Sequence, residues 1–512
     1  MAASLFVRKS IEDCEKDIRE RGGLNRSLNK WHLTALGVGA TIGAGIFATT
    51  GTAIVGDAAR PGAGPAIVLS FLLTAVACGF AALCYAEFAA MVPIAGSAYT
   101  YAYASLGEFV AWIIGWDLIV EYAVGNIGVA IGWSGYFREL ISHFGVRMPA
   151  WLSTDYRTAH DAAAAVAAGA TDPTHTYLAS ALTTGPQILG IPIIMNLPAF
   201  LVVACITVIL IRGVRESANS NNAMVLLKIG IILFFIAVGI FLIKPVNWTN
   251  PATGGFAPNG FAGIGAGAAI IFFSYIGFDA VSTAAEESKN PSRDMPFGII
   301  MSLVICTVLY IALSAVMTGI APWKMLGTAE PMITALQYSE GPPALVKASR
   351  LIVSLGAVFA MGSVLLVFQL GQPRIFFSMA RDGLLPPFIA KVHPRFRTPW
   401  VGTIITGCFV GTFAAFANIA EVVDLTNIGT LFAFVLVSLG VIALRFTDAD
   451  RVRPFRAPWV PVTPLISVAT CLYLMLQLPA ITWKRFGIWL VLGLILYFVY
   501  GAKHSRLRNS EK

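Results

Sequence analysis

The stretch Leu36-Gly37-Val38-Gly39-Ala40-Thr41-Ile42-Gly43-Ala44-Gly45-Ile46-Phe47 limits what this chain can fold into more than any other. It lies in an apolar run, residues 33–55, long enough to cross a bilayer. Yet it carries glycine at 37, 39, 43 and 45. Each glycine inside a helix costs about 0.5–1 kcal/mol relative to alanine. A helix that had only to span would not gather four within so short a stretch. Two readings are open. Small residues let membrane helices approach closely. Alternatively the helix breaks at mid-membrane, where freed amides and carbonyls line a polar cavity.

The rest of the chain is membrane-like. Hydrophobic residues make up 57% and charged residues 12%, about half the charge of an ordinary soluble domain. Apolar runs fall at 33–55, 65–92, 108–140, 196–214, 219–243, 261–287, 297–321, 350–380, 400–418, 421–445, 462–479 and 486–501. The expectation is an all-α polytopic membrane protein of about twelve helices. Alternating ten-residue strands are absent from the pattern, which argues against an outer-membrane barrel. Residues 1–32 read as a polar cytoplasmic segment without a signal peptide, with a weak capping pattern at Ser10 and Asp13. With that segment inside, Lys and Arg favour the inside loops about threefold. Both termini are therefore expected in the cytoplasm, and the net charge of +8 follows membrane topology rather than nucleic-acid binding. The seven cysteines show no disulfide framework. The outside loop 143–194 is expected to form a small cap. Its histidines at 143, 160 and 175 lack ligand spacing, so neither a metal nor another cofactor is expected. Short surface helices are expected between Pro322 and Arg350.

The sixth run decides between the two readings of the first. It opens on Gly263, Gly265 and Gly267, passes through Phe272-Phe273-Ser274-Tyr275-Ile276-Gly277-Phe278, and then places Asp279 near mid-membrane. A carboxyl group there is costly unless it meets a cavity or a partner. If the first five helices form one repeat and the next five another, both interruptions fall in the first helix of a repeat. That pairing is the best sequence pointer to a transporter site. The half-helix after Ala44-Gly45 then begins with unpaired amides and a positive dipole end, suited to a carboxylate. Ile42, Gly43, Ala44, Gly45 and Ile46 are the candidates for that end. Carbonyls around Phe272, Phe273, Ser274 and Ile276 suit an ammonium group. One anion-seeking end beside one cation-seeking end describes an α-amino acid. Its side chain would rest among apolar residues of the third, sixth and eighth runs.

These residues carry a resemblance. Gly37 to Phe47 resembles the first-helix motif of the amino acid–polyamine–organocation superfamily. Tyr275 to Glu287, followed by Asn290-Pro291 and Pro296, is similar to the sixth-helix signature of its cationic amino acid transporter branch. Arg381 to Pro386 and Arg397-Thr398-Pro399 look like that branch too, and the resemblance covers about residues 24–500. It implies a LeuT-like fold of five plus five helices in inverted repeat, with helices 1 and 6 broken and two helices added. The core would be 33–445, with repeats at about 33–243 and 261–445. The added helices would occupy 446–501, and 502–512 would be a cytoplasmic tail. It also implies sodium-independent import of an L-amino acid across the plasma membrane by alternating access.

Lys228 stands alone in the fifth run, in Met224-Val225-Leu226-Leu227-Lys228-Ile229-Gly230. One reading is a lysine that snorkels to the cytoplasmic surface. The resemblance favours another, a cation standing where sodium-coupled relatives bind their ion, so that its protonation drives the cycle. Ser363 and Ser282 or Thr283 are possible neighbours. Glu121, with Asp117 one turn away, and Asp279 are intramembrane acids whose role the sequence leaves open. Met361 either narrows the side-chain pocket or packs in the core. Substrate identity stays open between small neutral residues and cationic ones, as does symport against exchange. No HExxH, GxSxG or nucleotide-binding loop appears, so an enzyme is not expected. A nutrient sensor on a transporter fold is the remaining alternative. Oligomeric state is not legible.

Overall fold

The two glycine-rich runs fold as broken helices packed on each other at their breaks. In this computed structural model, residues 7–8, 27–91, 97–169, 173–213 and 218–510 are described. The capping pattern at Ser10 and Asp13 lies outside them. Among the described residues, nine helices are long and apolar enough to cross a membrane. Three shorter apolar helices, Leu197–Arg212, Trp400–Phe416 and Val462–Leu476, occupy the fourth, ninth and eleventh runs. We number the twelve segments in chain order, the nine long ones being Lys30–Val55 (1), Gly64–Met91 (2), Glu108–Ser142 (3), Asn222–Ile240 (5), Gly260–Ser282 (6), Pro291–Ile320 (7), Pro343–Arg381 (8), Ile419–Thr447 (10) and Ala480–His504 (12).

Segment 1 starts at Lys30, where a reciprocal capping box forms. The Asn29 side chain accepts from the amides of Trp31 and His32, and the His32 ring accepts from the Asn29 amide. The α-helix Lys30–Thr41 stops at Ile42, whose ψ of 100° is extended. It resumes as a π-helical turn, Gly45–Thr49, and a last helical piece, Thr50–Val55. Segment 6 runs as an α-helix over Gly260–Ile271 and tightens into a 3-10 turn at Phe272–Ser274. It turns at Gly277, with φ of +117°, and continues as a 3-10 helix over Asp279–Glu287.

Glycine is required at these contacts. A Cβ on Gly45 would sit 2.2 Å from Ser274 Cα, and one on Gly277 would sit 2.8 Å from the carbonyl carbon of Ala40. On Gly37 it would meet Val281 and Ser302 within 2.7 Å. Close packing and a break are therefore not alternatives here. The same glycines that permit the break bring the two broken helices into backbone contact.

Segments 1, 2, 6 and 7 pack together, as do 3, 4, 8 and 9, and the pairs 2 with 7, 3 with 8 and 4 with 9 are in contact. Each segment in those pairs meets the one five places along, as a five-plus-five arrangement requires. Segment 5 packs on 1, 7 and 8; segment 10 packs on 2, 3, 11 and 12. Segment 8 runs over Pro343–Arg381, so residues 343–350 belong to it rather than to a surface helix. Proline at its first position suits a helix start. Trp323–Met325 and Pro331–Gln337 are short helices before it. The loop after segment 3 holds helices Tyr156–Ala167, Pro173–Ala179 and Ala181–Thr184 and a small hairpin, Gln187–Ile188 with Ile191–Pro192. They enclose a minor core of Ala150, Ala159, Ala181 and Ile194.

The described ends of the chain share one face. The Leu28 amide donates to the Glu287 carbonyl at 3.0 Å, and the Lys289 amide donates to the Leu28 carbonyl at 2.8 Å. Near the other end, Tyr497 donates to Glu108 at 3.1 Å, as does Ser505. The cap loop lies on the opposite face, where its Arg157 pairs with Glu421 at the start of segment 10.

The turn at Gly277 yields a direct test. Gly277→Ala would force a side chain into positive φ and against Ala40. The expected loss is about 1–3 kcal/mol, read as a lower midpoint in thermal unfolding of the detergent-solubilised protein. Gly79→Ala, where a Cβ meets nothing within 4 Å, should be neutral or slightly stabilising in the same assay.

Candidate functional site

With no water available in the hydrocarbon region, each backbone group freed by a break needs a partner from elsewhere in the protein. On segment 1 the carbonyls are met by three other helices. Lys228 Nζ of segment 5 donates to the Gly39 carbonyl at 2.5 Å. Tyr310 of segment 7 donates through its hydroxyl to the Thr41 carbonyl at 3.1 Å, and Tyr136 of segment 3 to that of Phe47 at 2.6 Å. Thr49 and Thr50 fold back to the Gly45 carbonyl at 2.7 and 3.3 Å. On segment 6, Asn427 of segment 10 donates to the carbonyls of Ala269 and Ile270 at 2.7 and 3.2 Å.

The amide end is different. The turn that restarts at Gly45 has no side-chain cap, and neither does the one that restarts at Asp279. The first amides of such a turn have no intrahelical partner and a positive dipole behind them. Uncapped amides on one strand of the break beside the carbonyls of the other suit a small ligand carrying both an anion and a cation. The Phe272 carbonyl already accepts from the Tyr275 amide at 2.9 Å, which leaves one lone pair on that oxygen.

The structure brings most of the expected residues together. Ile42, Ala44, Ile46, Phe272, Ser274, Ile276 and Met361 are all buried. Gly45 rests on Ser274, so its lack of a side chain serves the contact between the breaks. Gly43 faces Val364 of segment 8, whose methyl would lie 3.0 Å from an added Cβ. Met361 reaches the same region: its sulfur and the Cβ of Ala44 both border Gly132 of segment 3. The Phe273 ring points onto Gly125 and Gly128 of segment 3. These contacts bring spans three, six and eight together beside the first break.

Lys228 does not snorkel. It is 1% exposed, and its amine donates to the Gly39 carbonyl, with Cys306 of segment 7 in its vicinity. The Ser363 hydroxyl turns back to the Ala360 carbonyl of its own helix at 2.9 Å, and the side chain of Thr283 lies outside the described residues. Glu121 occupies a π-helical turn, Val120–Val124, in the middle of segment 3. Its carboxyl adjoins that of Asp279, with Thr430 of segment 10 beside it. Glu121 Oε2, Asp279 Oδ2 and both oxygens of Asp117 are buried without a hydrogen-bond partner. Asp279 Oδ1 accepts from the Gly277 amide at 3.3 Å, so this acid also braces the turn.

Sequence reasoning missed Tyr136, Tyr310 and Asn427, which hold the freed carbonyls, and the π-turn around Glu121. The first three carried a signal, since each is a polar side chain inside an apolar run. The π-turn did not, because it changes hydrogen-bond register without changing the apolar pattern. Among the described residues, no group of His, Cys, Asp and Glu could hold a metal ion.

Comparison with known proteins agrees with this architecture. The model of the family described as "Amino acid permease" matches residues 28–499. The chain is 43% identical to the branched-chain amino acid permease BcaP of Bacillus subtilis, covering 99% of this chain and all of that one. It is also 43% identical, over 99% of this chain and all of the other, to the methylthioribose transporter of the same bacterium. The vacuolar cationic amino acid transporter 4 of Arabidopsis thaliana is 36% identical over 88% of this chain and 68% of its own. These relatives carry the names of permeases and transporters rather than enzymes. An all-helical membrane architecture with two apposed helix breaks, matched by the family model over nearly its whole length, belongs to the amino acid permease family of the amino acid–polyamine–organocation superfamily.

Proposed function

We propose that this protein imports an L-amino acid across the plasma membrane by alternating access, coupled to protons and independent of sodium. Its termini lie in the cytoplasm, so the cap-loop face is outside. The transporting core is 33–445, with repeats at about 33–243 and 261–445. Residues 446–501 are two additional helices and 502–512 a tail. One observation carries the reading: the turn at Gly45, which has no side-chain cap, stands against Ser274 at the second break, so a carboxylate site at the first break would lie next to an ammonium site at the second. The α-carboxylate would take the amides of Gly43 to Ile46, and the α-ammonium the carbonyls of Phe272 to Ile276.

For the side chain we favour a small or branched apolar one. Met361, Val364, Ala44 and the glycines of segment 3 offer apolar surface and little room. Proton coupling is assigned to Lys228. Its amine is bonded directly to the broken helix, so gain or loss of its proton would change how segment 1 is held. A buried lysine held by one carbonyl is also the kind of intramembrane ionisable group that marks function.

A second reading comes from the relative named a methylthioribose transporter, which is as similar to this chain as the amino acid permease. It would leave the uncapped amides at Gly45 without an anion. Competition separates the two. Uptake of leucine or alanine into proteoliposomes should persist under a large excess of methylthioribose, and loss of uptake under that excess would favour the second reading.

The coupling has its own test. Uptake should rise with an inward proton gradient and be the same in sodium and potassium media. Lys228→Ala should remove gradient-driven accumulation, by tenfold or more, while counterflow exchange shows whether substrate still binds. Undiminished accumulation by the variant would overturn the role given to Lys228.

A further inference from the structure

The cap loop carries a surface that no part of the site described above uses. Its small hairpin pairs Gln187 with Pro192 and Ile188 with Ile191, so Leu189 and Gly190 form a two-residue turn. The base of the hairpin is fixed. There the Ile193 amide donates to the Pro186 carbonyl and the Met195 amide to the Trp151 carbonyl, both at 2.8 Å. From that base the tip projects away from the body. Residues 186–191 are all exposed, with Ile188 at 61%, Leu189 at 98% and Ile191 at 66%. A Cβ on Gly190 would meet nothing within 4 Å. The tip is thus a bare cluster of branched apolar side chains, whose exposed area is unfavourable in water.

We infer that this tip is a membrane anchor, with the side chains of Ile188, Leu189 and Ile191 seated in the lipid leaflet on the cap-loop side. Three observations identify lipid as the occupant. The first is the backbone. Both turn residues have positive φ, +53° at Leu189 and +79° at Gly190, the mark of a type I′ turn. Asn, Asp or Gly is the usual residue at the first of these places, and a leucine there crowds its own Cβ. A leucine strained in this way and almost wholly exposed gains nothing from the rest of the protein, so its gain lies outside it. The second is charge. Between Asp172 and Arg212 the sequence has no Asp, Glu, Lys or Arg, whereas the cap helix Tyr156–Ala167 carries exposed Arg157 and Asp161. A protein-binding patch has a polar rim around its apolar centre, and this run has no charge to supply one. The third is continuity with the lipid-facing surface. The run leads straight into segment 4, whose first turns expose Phe200 and Leu201. Asn196, at its start, donates its amide to the Ala415 carbonyl at the end of segment 9 at 2.7 Å. Ile191 is five residues from Asn196, at most about 18 Å of extended chain, so the tip is within reach of the headgroup layer. The cap is then held on two sides, by Arg157 with Glu421 of segment 10 and by lipid at the hairpin.

The test is the depth of a spin label in proteoliposomes. Leu189→Cys would carry a nitroxide, and protein without the added cysteine would be the blank for the native ones. Depth is read as the ratio of collisions with oxygen, which concentrates in lipid, to collisions with a water-soluble nickel chelate. This ratio at 189 should exceed that at Asp161→Cys, on the exposed cap helix, by about fivefold, because apolar side chains enter the boundary between headgroups and acyl chains. Adding Ile188→Ser with Ile191→Ser should bring the 189 ratio down toward the 161 value. Equal ratios at 189 and 161 without those serines would overturn the anchor and leave the tip to a protein partner. A ratio at 189 unmoved by the serines would mean that the label sinks by itself, which overturns the anchor equally. Should Leu189→Cys fail to fold, a label at Ile191→Cys, with Ile188→Ser and Leu189→Asn as the added changes, carries the same comparison. The measurement needs no substrate, so it stands whatever the uptake assays show.

Discussion

The organising constraint is the cost of opening two helices where there is no water. Each break frees amides and carbonyls that would each cost several kcal/mol if left alone in hydrocarbon. The protein treats the two kinds of group differently. Carbonyls are given donors from distant helices: Lys228, Tyr310 and Tyr136 for the first break, Asn427 for the second. The amides at Gly45 are given none from a side chain. This asymmetry fixes where the scaffold ends and where a ligand could begin. It also ties segments 3, 5, 7 and 10 to one point, so motion of the broken helices must be felt by all four.

Close packing and chemistry are linked through the glycines. Gly45 against Ser274 and Gly277 against Ala40 bring the two breaks into backbone contact. A methyl at either position would push them apart before it touched any ligand. The glycines are thus needed for the geometry of the pair rather than to leave ligand space at each position. Gly43, facing the movable side chain of Val364, is where ligand space is the better account.

Much of this was legible in the sequence. The apolar runs, the two interruptions and the isolated Lys228 all stand out on residue type, and the structure joins Lys228 of segment 5 to the first broken helix through the Gly39 carbonyl. The helix type of segment 6 beyond Gly277 was not legible, since 3-10 and α-helix share much the same local residue preferences. Nor was the start of segment 8 at Pro343, because residues 343–350, with Lys347, Ser349 and Arg350, read as part of a surface helix rather than of a membrane span. The partners of the freed carbonyls were hidden for another reason. Residues 228 and 39, or 427 and 269, meet only through tertiary packing, and spacing along the chain carries no trace of it.

The acids of segments 3 and 6 follow the same logic as the lysine, but in the other half of the pair. Lys228 attaches segment 5 to the first break, and Glu121 lies beside Asp279 just past the second. Asp279 in turn receives the Gly277 amide, so the carboxyl pair touches the turn on which the second break depends. Each broken helix is thereby joined to an ionisable group borne by a helix outside its own packing group, segment 5 in one case and segment 3 in the other. A change of charge at either point would act on the break nearest it. The two breaks touch at Gly45 and Ser274, so neither can respond alone.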